Sequence, residues 1–150
     1  VDVNLRPKLA ANLSQYVAAV QAAVPLADWL KASDEDLELL GFSAPQRSQG
    51  AEIAKHFTAQ GTSRVALTFG GDGAWLQVDD KHAEQDVPKV TVVDTVGAGD
   101  TFWGNCLGDW VLNPQDAATR VQTTLSQAMQ AAAINCTRAG CQPPKYSELL

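Results

Sequence analysis

The residues best suited to chemistry lie in one stretch, VVDTVGAGDTF, at positions 92–102. A β-branched run ends in Asp94-Thr95, the chain turns through Gly97–Gly99, and Asp100 stands where an amphipathic pattern begins. Free backbone N–H groups at a helix start attract anions, and glycine lets a phosphate approach the main chain closely. A carboxylate beside such a cradle can accept the proton of an attacking hydroxyl group. The pattern therefore predicts phosphoryl transfer.

A structural alternative explains the same spacing. A loop can enter a helix here, with Asp94 or Thr95 as its cap and Asp100 favoured by the helix dipole. The residue string is more specific than the spacing, because DTVGAGDTF closely resembles the C-terminal signature of the PfkB, or ribokinase-like, family of sugar kinases. That resemblance implies that Asp100 is the catalytic base. It also implies an anion hole for the transferring phosphate, formed by the backbone of Gly97, Ala98 and Gly99.

A second glycine-rich segment, TFGGDG at residues 68–73, follows a predicted buried strand. Taken alone, it is a hairpin turn, since Gly-Asp-Gly clusters are common in turns. It also resembles the TxGxxG-type segment of the PfkB family, which contacts the phosphates and ribose of ATP. The resemblance therefore implies an ATP site formed by Thr68, Gly70, Gly71, Asp72, Gly73 and, from the loop after the last helix, Asn135.

The segment DVNLRP at residues 2–7 resembles the DxNxR segment of fructokinases and 2-keto-3-deoxygluconate kinases. An Asn and an Arg just past a strand end face the place where α/β sheets bind ligands. The resemblance implies that Asn4 and Arg6, together with Asp100, contact the sugar. The alternative, a surface Arg near a strand end, stays open. Leu9-Ala10 departs from the Leu-Trp pair of many relatives.

Two metal sites are implied by the same resemblance. Ser33 and Asp36 occupy the ends of an NxxE-type motif that helps to organise magnesium, although this chain has Ser for Asn and Asp for Glu. A helix capping box explains both residues without a metal, and Mg²⁺ keeps most of its waters, so its contact would be indirect. A monovalent cation, K⁺, would be held by the side chain of one residue and by backbone carbonyls of the others: Asp94, Val96, Asn135, Arg138 and Gly140.

Composition limits the classes of function. The chain has 150 residues, of which 45% are hydrophobic and 19% charged, as in an ordinary globular domain. Its 11 Lys and Arg against 17 Asp and Glu give a formal net charge of −6 and no basic stripe, which argues against a nucleic-acid partner. No segment has the length of a membrane span or the pattern of a signal peptide, so we expect no membrane partner.

The cysteines indicate reduced thiols in a cytoplasmic protein. Cys106, Cys136 and Cys141 are odd in number and lack paired metal-ligand spacing. Neither His56 nor His82 lies near a cysteine motif. We therefore expect no zinc site.

Hydrophobic periodicity places these motifs on alternating elements. It predicts helices over residues 9–24, 34–40, 46–60, 98–112 and 113–138. It predicts strands over residues 1–5, 27–32, 64–69 and 74–78, a short strand before Pro88, and an extended run at 89–93. Alternation of strands and helices predicts an α/β domain with a mainly parallel sheet flanked by helices. The resemblance implies the C-terminal portion of the three-layer ribokinase-like fold.

The length suggests a fragment. PfkB-type kinases are about twice as long, and the resemblance covers essentially all of residues 1–150 as their C-terminal half. We therefore expect a single-domain fragment that lacks the N-terminal half and its lid, with a homodimer through that missing half as an option.

The leading hypothesis is an ATP-dependent, fructokinase-like sugar kinase that uses Mg-ATP. One alternative keeps the chemistry and changes the substrate to 2-keto-3-deoxygluconate, ribose or a nucleoside. Another is a catalytically inactive nucleotide-binding fragment.

Overall fold

Four short strands form the centre of the molecule in the computed structural model, which describes residues 1–149. They are β1 (Trp29–Ser33), β2 (Arg64–Thr68), β3 (Ala74–Val78) and β4 (Lys81–Gln85), and they lie in the order β1-β2-β3-β4. The middle residues of β1, β2 and β3 are buried because helices cover both faces of the sheet.

The sheet is mixed rather than mainly parallel. Strands β1 and β2 are parallel, whereas β2–β3 and β3–β4 are antiparallel. The reason lies in the turns: a short connection can join only antiparallel neighbours. A five-residue turn over 69–73 leads from β2 to β3, and two residues, Asp79 with φ +52° and Asp80, join β3 to β4. The antiparallel return that the glycine-rich turn predicted over residues 74–78 is confirmed.

Three helices cover one face: α1 (Leu13–Ala23), α2 (Asp34–Leu39) and α3 (Gly50–Thr58). Their core packs Leu37 of α2 and Phe57 of α3 against Val65 and Leu67 of β2. The opposite face is covered by α4 (Ala98–Leu112) and α5 (Val121–Cys136). There the core contains large apolar residues of both helices and of the sheet: Leu76, Phe102, Trp110 and Leu125. The predicted three-layer α/β arrangement is therefore confirmed.

Two helices begin later than predicted, because polar side chains define their starts. Asn12 caps α1 by accepting a hydrogen bond from the Gln15 N–H at 3.1 Å, so α1 starts at Leu13 rather than at residue 9. Residues 114–120 form a turn, and α5 starts at Val121 rather than at residue 113. Asp109 of α4 holds that turn through the Arg120 guanidinium, with Nη2 at 2.5 Å from Oδ1.

Three other predicted elements also differ. The predicted helix over 46–60 starts with a single 3₁₀ turn, and its α-helical part is α3. Residues 89–93 form no strand and are mostly exposed. The predicted strand over 1–5 is reduced to one parallel bridge, in which Val3 N–H donates to Lys31 O at 2.9 Å. Asn4, with φ +39°, ends the extended conformation.

Among residues 1–149, no helix combines the length and the apolar character needed to cross a membrane.

Candidate active site

A cleft of about 630 Å³ opens where β1 and β2 end and α4 begins. The carboxyl ends of adjacent parallel strands meet at one edge of a sheet, which is where α/β folds bind ligands. The cleft collects most of the side chains and glycines that the sequence predicted: Asn4, Arg6, Ser33, Asp36, Thr68, Gly70, Gly73, Gly97, Ala98, Gly99 and Asp100. Segments far apart in the sequence therefore meet at one place, as the resemblance required.

The start of α4 forms a cradle of backbone N–H groups. Gly97 takes φ +77°, the left-handed conformation that glycine adopts without cost, and Thr101 N–H closes the first helical turn on Gly97 O at 2.8 Å. Within the described residues, the N–H groups of Gly97, Gly99 and Asp100 have no acceptor. Ala98 N–H instead donates to Thr95 O at 3.1 Å. Three free donors at the positive end of a 15-residue helix can bind an anion.

Asp100 lies in the first turn of α4, exposed, and lines the cleft. Its carboxylate is thus beside the free N–H groups and on the same side of the cleft as the helix start. A hydroxyl that enters the cleft can reach this carboxylate, while an anion occupies the N–H groups. The geometry therefore suits transfer of an anionic group to a hydroxyl.

The turn before α4 is fastened by Asp94. Its Oδ1 accepts the Val96 N–H at 3.0 Å, and its Oδ2 accepts the Gly140 N–H at 2.9 Å. These two N–H groups stabilise the charged carboxylate and so hold the pKa of Asp94 below its ordinary value. The hydrogen bond from Val96 has the larger effect, and that from Gly140 adds to it. The carboxylate thus ties the turn to the loop after α5.

This tether predicts a pH-dependent stability. A carboxyl whose pKa is lower in the folded chain than in the unfolded chain stabilises the fold above its unfolded pKa and loses that effect as pH falls through its folded pKa. We expect Asp94→Asn to lower the melting temperature near neutral pH, and the difference from wild type to shrink below about pH 4. Thermal melts of both proteins across pH 3 to 8 measure it. A difference that stays constant with pH would contradict the role of the carboxylate charge.

Asn135, which the resemblance places at ATP, is fully buried and is not among the residues that line the cleft. Its Nδ2 donates to Val96 O at 2.8 Å, and its Oδ1 accepts the Gln142 N–H at 2.8 Å. The Arg138 guanidinium donates to Gln142 O at 3.1 Å and pairs with Glu148.

The residues predicted to hold a monovalent cation lie together, and several of their oxygens already accept an N–H donor. Val96 O and both carboxylate oxygens of Asp94 already accept N–H donors, and Asn135 O accepts the Arg138 N–H at 3.1 Å. In the part of the chain that the structure describes, no group of three or more His, Cys, Asp or Glu could hold a metal ion either.

Ser33 and Asp36 form the capping box of α2. Ser33 Oγ accepts the Asp36 N–H at 3.1 Å, and Asp36 Oδ2 accepts the Ser33 N–H at 2.9 Å. The second oxygen of Asp36 accepts the Leu5 N–H at 2.7 Å, and this carboxylate is buried. Both oxygens are thus engaged in holding α2 and the segment around Asn4. The neighbouring carboxylates of Asp34 and Glu35 line the cleft instead.

The glycine-rich turn after β2 is divided between two cavities. Thr68, Gly70 and Gly73 line the main cleft, whereas Gly71 and Asp72 line a separate cavity of about 350 Å³. Gly73 has φ +101°, and a Cβ there would lie 2.0 Å from Gln85 O, so only glycine fits. Gly73 therefore serves the geometry of the hairpin and also lines the main cleft.

Lys31 is the functional candidate that the sequence analysis missed. It is 5% exposed, lines the cleft, and pairs through Nζ with Asp2 Oδ1 at 3.1 Å. Its ammonium lies against the first turn of α4, 3.4 Å from where a Cβ on Gly99 would be. A lysine within the apolar run of a buried strand was the available signal, because Lys is rarely buried unless its charge is paired.

Comparison with known proteins identifies the family of the chain. The family model described as "pfkB family carbohydrate kinase" matches residues 1–148. The chain belongs to the PfkB family. A fructokinase of Rhizobium leguminosarum bv. trifolii is 34% identical over 102 residues, which cover 68% of this chain and 30% of that protein. A 2-dehydro-3-deoxygluconokinase of Bacillus subtilis (strain 168) is 34% identical over 103 residues, which cover 67% of this chain and 30% of that protein.

A solved PfkB-type structure extends the match to the fold. The fructokinase double mutant of Vibrio cholerae O395, bound to fructose, ADP and a potassium ion, superposes with a TM-score of 0.81 at 27% sequence identity. The superposition covers 99% of this chain and 47% of that chain. The chain therefore spans less than half the length of each of these relatives.

Proposed function

We propose that the chain carries the catalytic end of an ATP-dependent sugar kinase of the PfkB family, with fructose as the leading substrate. One observation carries the proposal: Asp100 and three free backbone N–H groups stand together at the start of α4 and face one cleft. The same cleft contains Arg6, Thr68 and Gly70 from three other segments.

In the proposed reaction, Asp100 accepts the proton of the sugar hydroxyl as its oxygen attacks the γ-phosphate of ATP. The N–H groups of Gly97, Gly99 and Asp100 and the dipole of α4 stabilise the charge on the transferred phosphate. Thr68, Gly70 and Gly73 lie close to the other phosphates, and Arg6 and Asn4 contact the sugar. Such reactions depend mainly on positioning and electrostatic stabilisation.

Magnesium fits the acidic residues of the cleft. Asp34 Oδ2 lies 3.8 Å from where a Cβ on Gly70 would be, and Glu35 lines the same wall. Asp34 and Glu35 would hold a hydrated Mg²⁺ ion, while Ser33 and Asp36 fix the helix that carries them. When bound, the ion supplies charge neutralisation to the phosphates of ATP.

The relatives support more than one sugar as the substrate. The Rhizobium relative supports fructose, and the Bacillus relative supports 2-keto-3-deoxygluconate. Ribose or a nucleoside is a further alternative. We propose to test the protein, purified at its natural length, for ATP consumption with each of these sugars in turn. Fructose is expected to give the highest kcat/KM, and a higher value with another sugar would reassign the substrate.

A nucleotide-binding module without catalysis is the second candidate. It is favoured by the free N–H groups and the glycine-rich turn at the cleft, which suit a bound nucleotide whether or not a sugar is phosphorylated. Intact mass and ATP binding separate the two: a 16.0 kDa protein that binds ATP but phosphorylates none of the sugars would support the module.

We also propose a cellular location and an oligomeric state for the protein. A cytoplasmic location is supported by three cysteines that are all free thiols. We also propose that the protein assembles as a homodimer.

Lys31 gives this proposal a direct test of phosphate binding. We expect Lys31→Met to weaken ATP affinity by about 10- to 100-fold, because a charge-assisted hydrogen bond to phosphate is lost. Titration calorimetry with ATP measures the change. Lys81→Met is the matched control, since Lys81 also pairs with an aspartate but is exposed and outside the cleft. Equal ATP affinity in both variants would contradict the role of Lys31.

A further inference from the structure

We propose that the buried side-chain amide of Asn135 takes the place of a monovalent cation, so that the turn before α4 keeps its shape without K⁺. One solved relative is described with a potassium ion bound, and the family resemblance assigns such an ion to Asp94 and the carbonyls of Val96, Asn135, Arg138 and Gly140. In this chain the side-chain N–H group of Asn135 lies at that cluster.

The decisive contact is the hydrogen bond from Asn135 Nδ2 to Val96 O at 2.8 Å. The orientation of the amide is fixed by its other end, because Oδ1 accepts the Gln142 N–H at 2.8 Å. A flipped amide would bring a donor to a donor and an acceptor to an acceptor. Nδ2 therefore faces the carbonyl that a cation would need.

Three other oxygens of the predicted set each accept one N–H. Asp94 accepts one N–H on each carboxylate oxygen, from Val96 and Gly140, and Asn135 O accepts the Arg138 N–H. Each donor occupies one of the two lone pairs through which such an oxygen could bind a cation, so fewer remain for an ion. The Arg138 side chain adds a permanent positive charge to the same loop, where it donates to Gln142 O.

Entry of K⁺ would be unfavourable here. Asn135 has no exposed surface, so an ion that replaced the amide at Val96 O would leave a buried N–H without an acceptor. Unlike an ion, the amide does not have to bind from solution, because Asn135 is part of the last turn of α5. The turn that presents Gly97–Asp100 is therefore in place at any K⁺ concentration.

The consequence for catalysis rests on the proposed kinase function: phosphoryl transfer by this protein needs no monovalent cation. The structural part of the inference is independent of that function. Asn135 is a positioning residue, which acts through the Val96 peptide and not through contact with a substrate.

The test compares melting temperatures in KCl and in tetramethylammonium chloride at equal ionic strength. The wild-type protein is expected to melt at the same temperature in both salts and to leave the ²⁰⁵Tl NMR line of added Tl⁺, a K⁺ substitute, unchanged. A K⁺-specific rise in melting temperature, or a Tl⁺ line that shifts on adding wild-type protein, would overturn the proposal.

The variant Asn135→Ala removes the amide and leaves the oxygens. We expect it to melt several degrees higher in KCl than in tetramethylammonium chloride and to shift the Tl⁺ line. Asn105→Ala is the control, because Asn105 also donates its Nδ2 to a backbone carbonyl, Thr101 O at 2.9 Å, outside this cluster. It is expected to show no salt-specific change.

Asn135→Ser keeps a polar group and serves if the alanine variant does not fold. A folded Asn135→Ala or Asn135→Ser protein that is indifferent to K⁺ would overturn the proposal, and the wild-type measurement decides it even if neither variant folds. None of these readouts uses enzyme activity. Failure of the kinase proposal therefore leaves the cation test intact, and the reverse also holds.

Discussion

Asp100→Asn is expected to lower the rate of phosphoryl transfer by about 100- to 10,000-fold, the range typical of a lost general base. The amide occupies the same volume as the carboxylate but cannot accept the proton of the attacking hydroxyl. ATP affinity is expected to stay close to wild type, because the backbone N–H groups at the start of α4 are unchanged. Steady-state kinetics and ATP titration calorimetry measure the two quantities separately.

The matched control for this substitution is Asp116→Asn. Asp116 is exposed in the turn before α5, far from the cleft, and its replacement changes the net charge by the same amount. It is expected to leave the rate unchanged. A rate near wild type for Asp100→Asn would show that another group removes the proton, whereas equal losses in both variants would indicate a general charge effect.

Gly97→Ala is expected to destabilise the fold and to abolish most ATP binding. At φ +77° a side chain costs about 1–2 kcal/mol. The added Cβ would also lie 2.2 Å from Cys141 Sγ, which forces either the turn or the loop after α5 to move, at a further cost of about 1–3 kcal/mol. Because Gly97 supplies one of the free N–H groups, that movement also displaces the anion cradle. Urea unfolding and ATP calorimetry measure the two effects.

Gly104→Ala in the same helix is the control. No atom lies within 4 Å of its added Cβ, and alanine favours a helix over glycine by up to about 1 kcal/mol. This variant is expected to be as stable as wild type or more so. A Gly97→Ala protein of wild-type stability would contradict this prediction. It would show that the loop carrying Cys141 can move to accept the added Cβ at little energetic cost.

The sequence predicted the cleft better than the sheet that carries it. Asp100 and its three small neighbours could be located because backbone N–H groups and glycines leave a signature in the residue string itself. The direction in which a side chain points leaves no such signature in the sequence. Asn135 was therefore expected at ATP, whereas its position at the end of α5 turns the amide inward toward Val96.

Lys31 was missed for a related reason. Its role depends on the register of β1 against β2 and on the approach of α4, two features that no local pattern encodes. The start of α5 was placed too early because Asp109 and Arg120, which fix the turn before it, are 11 positions apart. Apolar periodicity continues through such a turn and does not reveal it. The mixed sheet follows from turn lengths, which outweigh the alternation of helices and strands.

The tethers of the turn before α4 connect residues far apart in the chain. The bond from Asn135 to Val96 spans 39 positions, and that from Gly140 to Asp94 spans 46. Contacts of this kind form late in folding, since a long loop must close first. In the native protein, fraying of the last turn of α5 would release both tethers while the sheet stays paired. The cleft can thus open and re-form as a local event, and amide hydrogen exchange at Gly140, whose N–H donates to Asp94, would run ahead of exchange in β2 and β3.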